Sequence, residues 1–324
     1  MSDEEHDDRK HTPGEALTEF QEQLHASQLE LQAQLKYARD QFDATNELIK
    51  KRSGRDLLAA ILVGLLLGGG MLGSLIFLKM LFVPFSAVLV GLAAAELASA
   101  LRIAGREVPR IPTVGAAVLL MPAMYFLDGG GRWFALLAAI ALVSLWRVAQ
   151  ALPRERRVSA RNLGLDLLVG AFVQLYISLL AGFALVLTAQ PGGQWWTVAF
   201  LVVVVVADTG AYVSGLIFGK HRMAPRISPT KTWEGFGGAA VFALIAGALL
   251  AVLMLDQPWW VGLILGGALA LSAVLGDLIE SLIKRDIGVK DMSSRLPGHG
   301  GVLDRLDSIL PSAVVAYALY QLFV

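Results

Sequence analysis

The sequence predicts an all-α, polytopic integral membrane protein, with about nine transmembrane helices behind a soluble amphipathic N-terminal helix. Three observations carry this. The 324 residues are 56% hydrophobic and only 17% charged. Apolar runs near membrane-spanning length follow one another from Leu57 to the C-terminus. Stretches within them such as Leu201 to Ala207 are apolar at every position, where a membrane strand would alternate apolar and polar residues.

The polar N-terminus comes first. Residues 1–55 lack a short apolar core followed by a small-residue cleavage site, so the first span is expected to act as the insertion signal. Thr12-Pro13-Gly14-Glu15 reads as a capping box with proline at the first helical position. Leu17, Phe20, Leu24, Leu31, Leu35, Ala38 and Phe42 then form an apolar stripe, interrupted as a heptad by Gln28 and Gln34. A cytoplasmic helical appendage over 1–55 and a transmembrane domain over 56–324 are the expected units.

Nine spans are expected at about 57–78, 80–101, 112–127, 132–151, 166–189, 195–218, 235–256, 258–280 and 309–324. Basic residues test their orientation, because short cytoplasmic loops retain Lys and Arg. One set of flanks holds Lys50, Lys51, Arg52 and Arg55, then Arg102, Arg106 and Arg110, then Arg154, Arg156, Arg157 and Arg161. Lys220, Arg222, Arg226 and Lys231 continue that set, as do Lys284, Arg285, Lys290, Arg295 and Arg305. The opposite set holds Lys79 and Arg132. A multi-pass protein of the cell membrane is expected, with a cytoplasmic N-terminus and two basic cytoplasmic loops at about 219–234 and 281–308. Trp195, Trp196, Trp259 and Trp260 beside the exterior turns read as interfacial anchors.

Chemistry concentrates in those two loops. With no cysteine in the chain, thiolate nucleophiles and cysteine metal sites are excluded, and any metal must be held by carboxylates, hydroxyls or histidine. Asp277, Glu280, Ser281 and Lys284 recur at helical spacing on one face as an apolar span reaches the interface. A charged group at the bilayer centre costs roughly 2.5–3.5 kcal/mol on insertion scales, and less near the interface, so its presence there suggests a function. Asp304, Asp307 and Ser308 repeat the spacing at the start of the last span, and their carboxylates could meet Asp277 across a shared metal. Hard oxygen ligands favour Mg²⁺, above all when phosphate oxygens complete the shell. Asp277 also has the simpler role of pairing with Lys284 or Arg285, and Asp304 and Asp307 that of capping the last helix.

The loop before the seventh span contains Ser228-Pro229-Thr230-Lys231-Thr232. Its hydroxyls, its lysine and the exposed amides of the following helix suit a triphosphate, although it is not a P-loop. The glycines of Leu296-Pro297-Gly298-His299-Gly300-Gly301 free backbone amides to approach an anion.

Ser281, Lys284-Arg285, Lys290-Asp291, Leu296-Pro297, His299-Gly300-Gly301, Asp304-Arg305 and Asp307, at these spacings, resemble the signature of the phosphatidate cytidylyltransferase family. Ser228-Pro229, Lys231-Thr232, Glu234-Gly235, Asp208-Thr209 and Ala211-Tyr212 resemble its upstream motifs. The resemblance implies a nucleotidyltransferase that joins CTP and phosphatidate into CDP-diacylglycerol and releases pyrophosphate. It also implies a divalent metal, taken as Mg²⁺, with room for a second cation. Asp277, Asp304, Lys284 and Arg305 are then the catalytic candidates. Ser228, Thr230, Lys231, Arg285 and His299 would bind substrate, and Asp277, Asp304 and Asp307 would hold the metal.

Expected partners are CTP, phosphatidate and membrane lipids, with a homodimer compatible and no nucleic acid. A secondary transporter for an anionic solute would place its polar groups near the bilayer midplane, whereas here they gather at one face. A CTP-dependent enzyme acting on another lipid phosphate is the nearest rival.

Overall fold

The computed structural model describes Lys36 and residues 57–153, 158–289, 292–293 and 301–324. The chain divides into two compact units, Met1–Ala60 and Ile61–Val324. Apart from Lys36, the expected N-terminal appendage lies outside the described residues, as do the arginines at 154, 156 and 157.

The described residues are helical apart from one two-stranded hairpin. In order they form α1 (Leu57–Phe77), α2 (Phe82–Ile103), α3 (Arg110–Phe126), α4 (Gly129–Ala151) and α5 (Ala160–Val173). A π-helical stretch, Gln174–Leu179, joins α5 to α6 (Leu180–Ala189) without a break. Next come α7 (Gly193–Phe218), β1 (Arg222–Ala224), β2 (Ser228–Thr232), α8 (Trp233–Leu253) and α9 (Trp259–Ile287). The short α10 (Leu303–Leu306) leads into α11 (Ile309–Phe323).

Local sequence sets several of these boundaries. Asp128 caps α4 by accepting from Gly131 N–H at 2.7 Å, and Thr232 caps α8 by accepting from Gly235 N–H at 3.1 Å. Helix α9 stops at Gly288, whose φ of 80° is open to glycine at little cost. There Gly288 N–H bonds Arg285 C=O and Val289 N–H bonds Lys284 C=O, the crossed pair of a Schellman ending.

Among the described residues, seven helices are long and apolar enough to cross a membrane: 79–103, 129–151, 160–189, 193–218, 233–253, 259–287 and 303–323. Two shorter apolar helices, at 64–77 and 110–126, occupy the first and third expected spans. Large apolar side chains such as Leu137, Leu145, Leu249 and Leu253 face outward, an arrangement that lipid tolerates and water penalises.

Two expected boundaries move. The eighth span was expected to end at 280, yet α9 runs to Ile287, because Lys284 and Glu280 pair one turn apart and no helix breaker precedes Gly288. The loop expected at 219–234 contains the antiparallel hairpin, with Arg222 opposite Thr232 and Ala224 opposite Ser228.

Helices α7, α8 and α9 pack closely through small residues. A Cβ added at Gly262 would lie 2.3 Å from Gly247 C=O, and one added at Gly266 would lie 2.3 Å from Ala243 C=O. The space beside Gly238 of α8 is filled by Ser214 of α7. This close approach brings the hairpin between α7 and α8 against the polar half of α9.

Candidate active site

Strand β2 delivers Lys231 to Asp277 of α9, and the two form an ion pair. The pairing of Asp277 with Lys284 or Arg285 considered from the sequence is not what the structure shows. Its carboxylate also accepts from Ser281 Oγ at 3.4 Å, one turn along the helix. Arg285 turns to the hairpin, where its Nε donates to Ile227 C=O at 3.3 Å. The other end of the hairpin is tied by Glu234, which accepts from the amides of Lys220 and His221 and meets His221 Nδ1 at 2.6 Å.

Beside Lys231 lies a cavity of about 330 Å³, whose polar lining includes Asp208, Tyr212, Thr230, Lys231 and Thr232. Phe236 and Val274 supply an apolar wall. One ammonium and three hydroxyls around such a space, with the Asp208 carboxylate among them, suit an anionic group that carries a cation, and the volume is at the low end of small-molecule pockets. Ser228, two residues before Thr230 on β2, is buried. Lys220, Arg222 and Arg226 are exposed.

A second cluster surrounds Lys284. Its ammonium contacts Glu280, which is fully buried, and lies 3.3 Å from Asp304 Oδ1. Asp304 also accepts from Met292 N–H at 3.4 Å and from Gly301 N–H at 2.8 Å. A buried carboxylate held by a lysine is stable only while the pair is intact, because either partner alone is a charge without compensation.

Ser308 joins the last helix to α7, its Oγ donating to Asp208 at 3.4 Å, while its N–H donates to Asp307 at 2.8 Å. Asp307 stands within electrostatic reach of Asp277, Asp208 and Lys231. Of the expected site residues, Asp277, Asp307 and Lys231 are thus neighbours, with Asp208 among them. Asp304 and Lys284 form the adjoining group. Arg305 is exposed, and His299 lies outside the described residues.

Among the described residues, no three His, Asp or Glu side chains converge as a ready metal cage. Mg²⁺ usually takes one or two carboxylates and leaves the rest of its shell to water and substrate phosphate. Asp277 and Asp307 are hard-oxygen donors of that type, and they stand beside the cavity residue Asp208. They fit such a cation by donor type, and in this structure Asp277 is paired with Lys231.

Two features escaped the sequence reading. Glu96, in the middle of α2 and 1% exposed, accepts from Ser293 Oγ at 2.6 Å and Leu303 N–H at 3.0 Å. Arg147 of α4 and Asp166 of α5 form a buried ion pair, with both Arg147 Nε and Nη2 donating to Asp166 Oδ2. The available signal was the same for each: an ionisable side chain inside an otherwise apolar run.

Comparison with known proteins places this arrangement. Residues 58–323 match the profile of the Cytidylyltransferase family. The chain belongs to that family. It is 36% identical over 278 residues to a phosphatidate cytidylyltransferase of Mycobacterium bovis, covering 84% of this chain and 90% of the relative. A phosphatidate cytidylyltransferase of Pseudomonas aeruginosa is 37% identical over 279 residues, covering 82% of this chain and 95% of the relative. One of Mycobacterium leprae is 37% identical over 281 residues, covering 84% and 89%. The chain is accordingly an enzyme of the nucleotidyltransferase class, and the matched region contains α7 to α11 with every cluster described above.

Proposed function

We propose that the chain transfers the cytidylyl group of CTP to phosphatidate, giving CDP-diacylglycerol and pyrophosphate for membrane phospholipid synthesis. The observation that carries the reading is the cavity at Lys231, Thr230 and Asp208, set against the acidic face of α9 at the end of apolar helices. A water-soluble nucleotide and a lipid phosphate can meet there.

A phosphatidate oxygen attacks the α-phosphorus of CTP in line. The new bond joins that oxygen to the α-phosphorus, and the bond between the α-phosphorus and the bridging oxygen breaks, its electron pair leaving with pyrophosphate. A phosphate monoester is already anionic near neutral pH, so the attack needs little general-base help. Lys231 releases Asp277 and holds the triphosphate with Thr230 and Ser228. His299 donates a hydrogen bond to phosphate. Lys284, Arg285 and Arg305 draw in the lipid phosphate and offset developing charge. Asp277 and Asp307 would hold Mg²⁺, with Asp304 of the adjoining Lys284 group as the third expected ligand; the bound ion would neutralise phosphate charge and steady the leaving pyrophosphate. Catalysis here is chiefly positioning and electrostatics.

The basic flanks support a multi-pass arrangement in the cell membrane, with the N-terminus and the site facing the cytoplasm. Conversion of radiolabelled CTP to a chloroform-extractable product by purified protein in detergent tests the reaction. Phosphatidate with Mg²⁺ gives CDP-lipid, and chelation of the metal stops it. Product from a polyprenyl phosphate but not from phosphatidate would overturn the substrate assignment.

A further inference from the structure

Glu96 has no place in the reaction as written, yet it is the single acid of α2, it is buried, and its partners come from the far end of the chain. Its Oε1 accepts from Ser293 Oγ, and its Oε2 accepts from Leu303 N–H. These contacts bracket the segment between α9 and α10. Gly301 passes so close that a Cβ there would lie 2.6 Å from Glu96 Oε2 and 3.2 Å from Asp304 Oδ2. The Gly301 amide, in turn, donates to Asp304, and Asp304 receives Lys284. A chain of contacts therefore runs from Glu96 through Leu303 and Gly301 to Asp304 and Lys284.

We infer that Glu96 is a positioning residue for the reaction: it clamps Ser293 and Leu303 to α2 and so sets Asp304 against Lys284. The inference rests on the proposed reaction for its kinetic consequence, while the clamp itself can be measured separately. Its requirement is for hydrogen-bond geometry, with no need of negative charge. A glutamine can meet both partners, its oxygen accepting from Leu303 N–H and its amide donating to Ser293 Oγ, since a hydroxyl can do either.

The test compares purified full-length wild type, Glu96→Ala and Glu96→Gln in the radiolabelled CTP assay, well below all their unfolding midpoints. Glu96→Ala is expected to lower kcat by roughly 10- to 100-fold, the scale of a small misplacement of catalytic groups. KM for CTP should change little, because Lys231 and Thr230 belong to β2, which is not among the contacts Glu96 makes. Glu96→Gln should recover most of the kcat. An unchanged kcat in folded Glu96→Ala overturns the inference, and so does a Glu96→Gln as impaired as Glu96→Ala, which would point to charge.

Should Glu96→Ala fail to fold, Ser293→Ala removes one bond of the clamp; a several-fold fall in kcat supports the inference and an unaltered kcat overturns it. Trypsin cleavage after Arg305 distinguishes failure of the clamp from failure of the reaction assignment. Faster cleavage in Glu96→Ala supports the clamp even if wild type makes no CDP-lipid, and equal cleavage overturns it.

Discussion

Lys231 of β2 and Asp277 of α9 are joined in an ion pair at the edge of the cavity, although one lies in a hairpin and the other in an apolar helix. The pair holds the cationic strand on the acidic helix face. Both groups are only partly exposed, so their mutual neutralisation matters more than it would for a surface pair. On the proposed reading, a nucleotide that draws Lys231 away would free Asp277 and so link binding of the triphosphate to exposure of the carboxylate.

Replacing Asp277 by Asn keeps the shape and removes the charge. Turnover is expected to fall by about 10²- to 10³-fold, the cost of deleting one preorganised electrostatic contact. The protein should still be recovered folded from membranes. CDP-lipid formation by the purified variant is the measurement, and retained activity would refute the metal assignment.

Lys231→Met is expected to act on the nucleotide. The apparent KM for CTP should rise about tenfold or more, as for loss of one charge-assisted hydrogen bond. Lys231→Arg should recover only part of this, because a planar fork cannot take the place of a compact ammonium in the same contacts. Initial rates at varied CTP decide it; an unchanged KM in both variants would remove Lys231 from the triphosphate site.

The apolar helices and the chemistry-bearing acids were legible because each is a local pattern. Continuous apolar runs show where helices lie, and Asp277, Ser281 and Lys284 declare a common face by spacing alone. The partners of those acids were not legible. Asp277 is satisfied from β2 and Asp304 by Lys284 and two loop amides, contacts between elements that lie apart in the sequence. The hairpin was hidden by brevity, since β1 has three residues and β2 contains Pro229, which strand patterns disfavour. Glu96 escaped although it is a charge in an apolar run, and its purpose depends on Ser293 and Leu303, remote in sequence.

The Arg147–Asp166 pair gives a stability prediction. Both side chains are about 5% exposed, and Asp166 also accepts from Glu107 N–H at 3.2 Å. Arg147→Met alone leaves a buried carboxylate without its cation and is expected to cost about 3–5 kcal/mol. Arg147→Met with Asp166→Leu should be much milder, because apolar replacement of both partners removes the uncompensated charge. Thermal unfolding in detergent checks this. A double variant as unstable as the single one would show that the pair itself supplies net stability.

Gly276, immediately before Asp277, makes the sharpest test of how packing serves the site. A Cβ there would lie 2.3 Å from Asp307 C=O and 2.6 Å from Pro311 Cγ, and the first of these is backbone that cannot swing aside. Gly276→Ala must therefore push α9 away from the start of α11 and separate Asp277 from Asp307. Overpacking of this kind costs about 1–3 kcal/mol, which a helical bundle of this size can survive. Activity should suffer more than stability: kcat is expected to fall by about 100-fold, since small displacements of positioned groups have effects of that order. Measuring kcat and the thermal midpoint on one preparation separates the two effects. A lowered midpoint with full kcat would mean that the distance between Asp277 and Asp307 is immaterial to the reaction, and that Asp307 is a structural partner of Ser308.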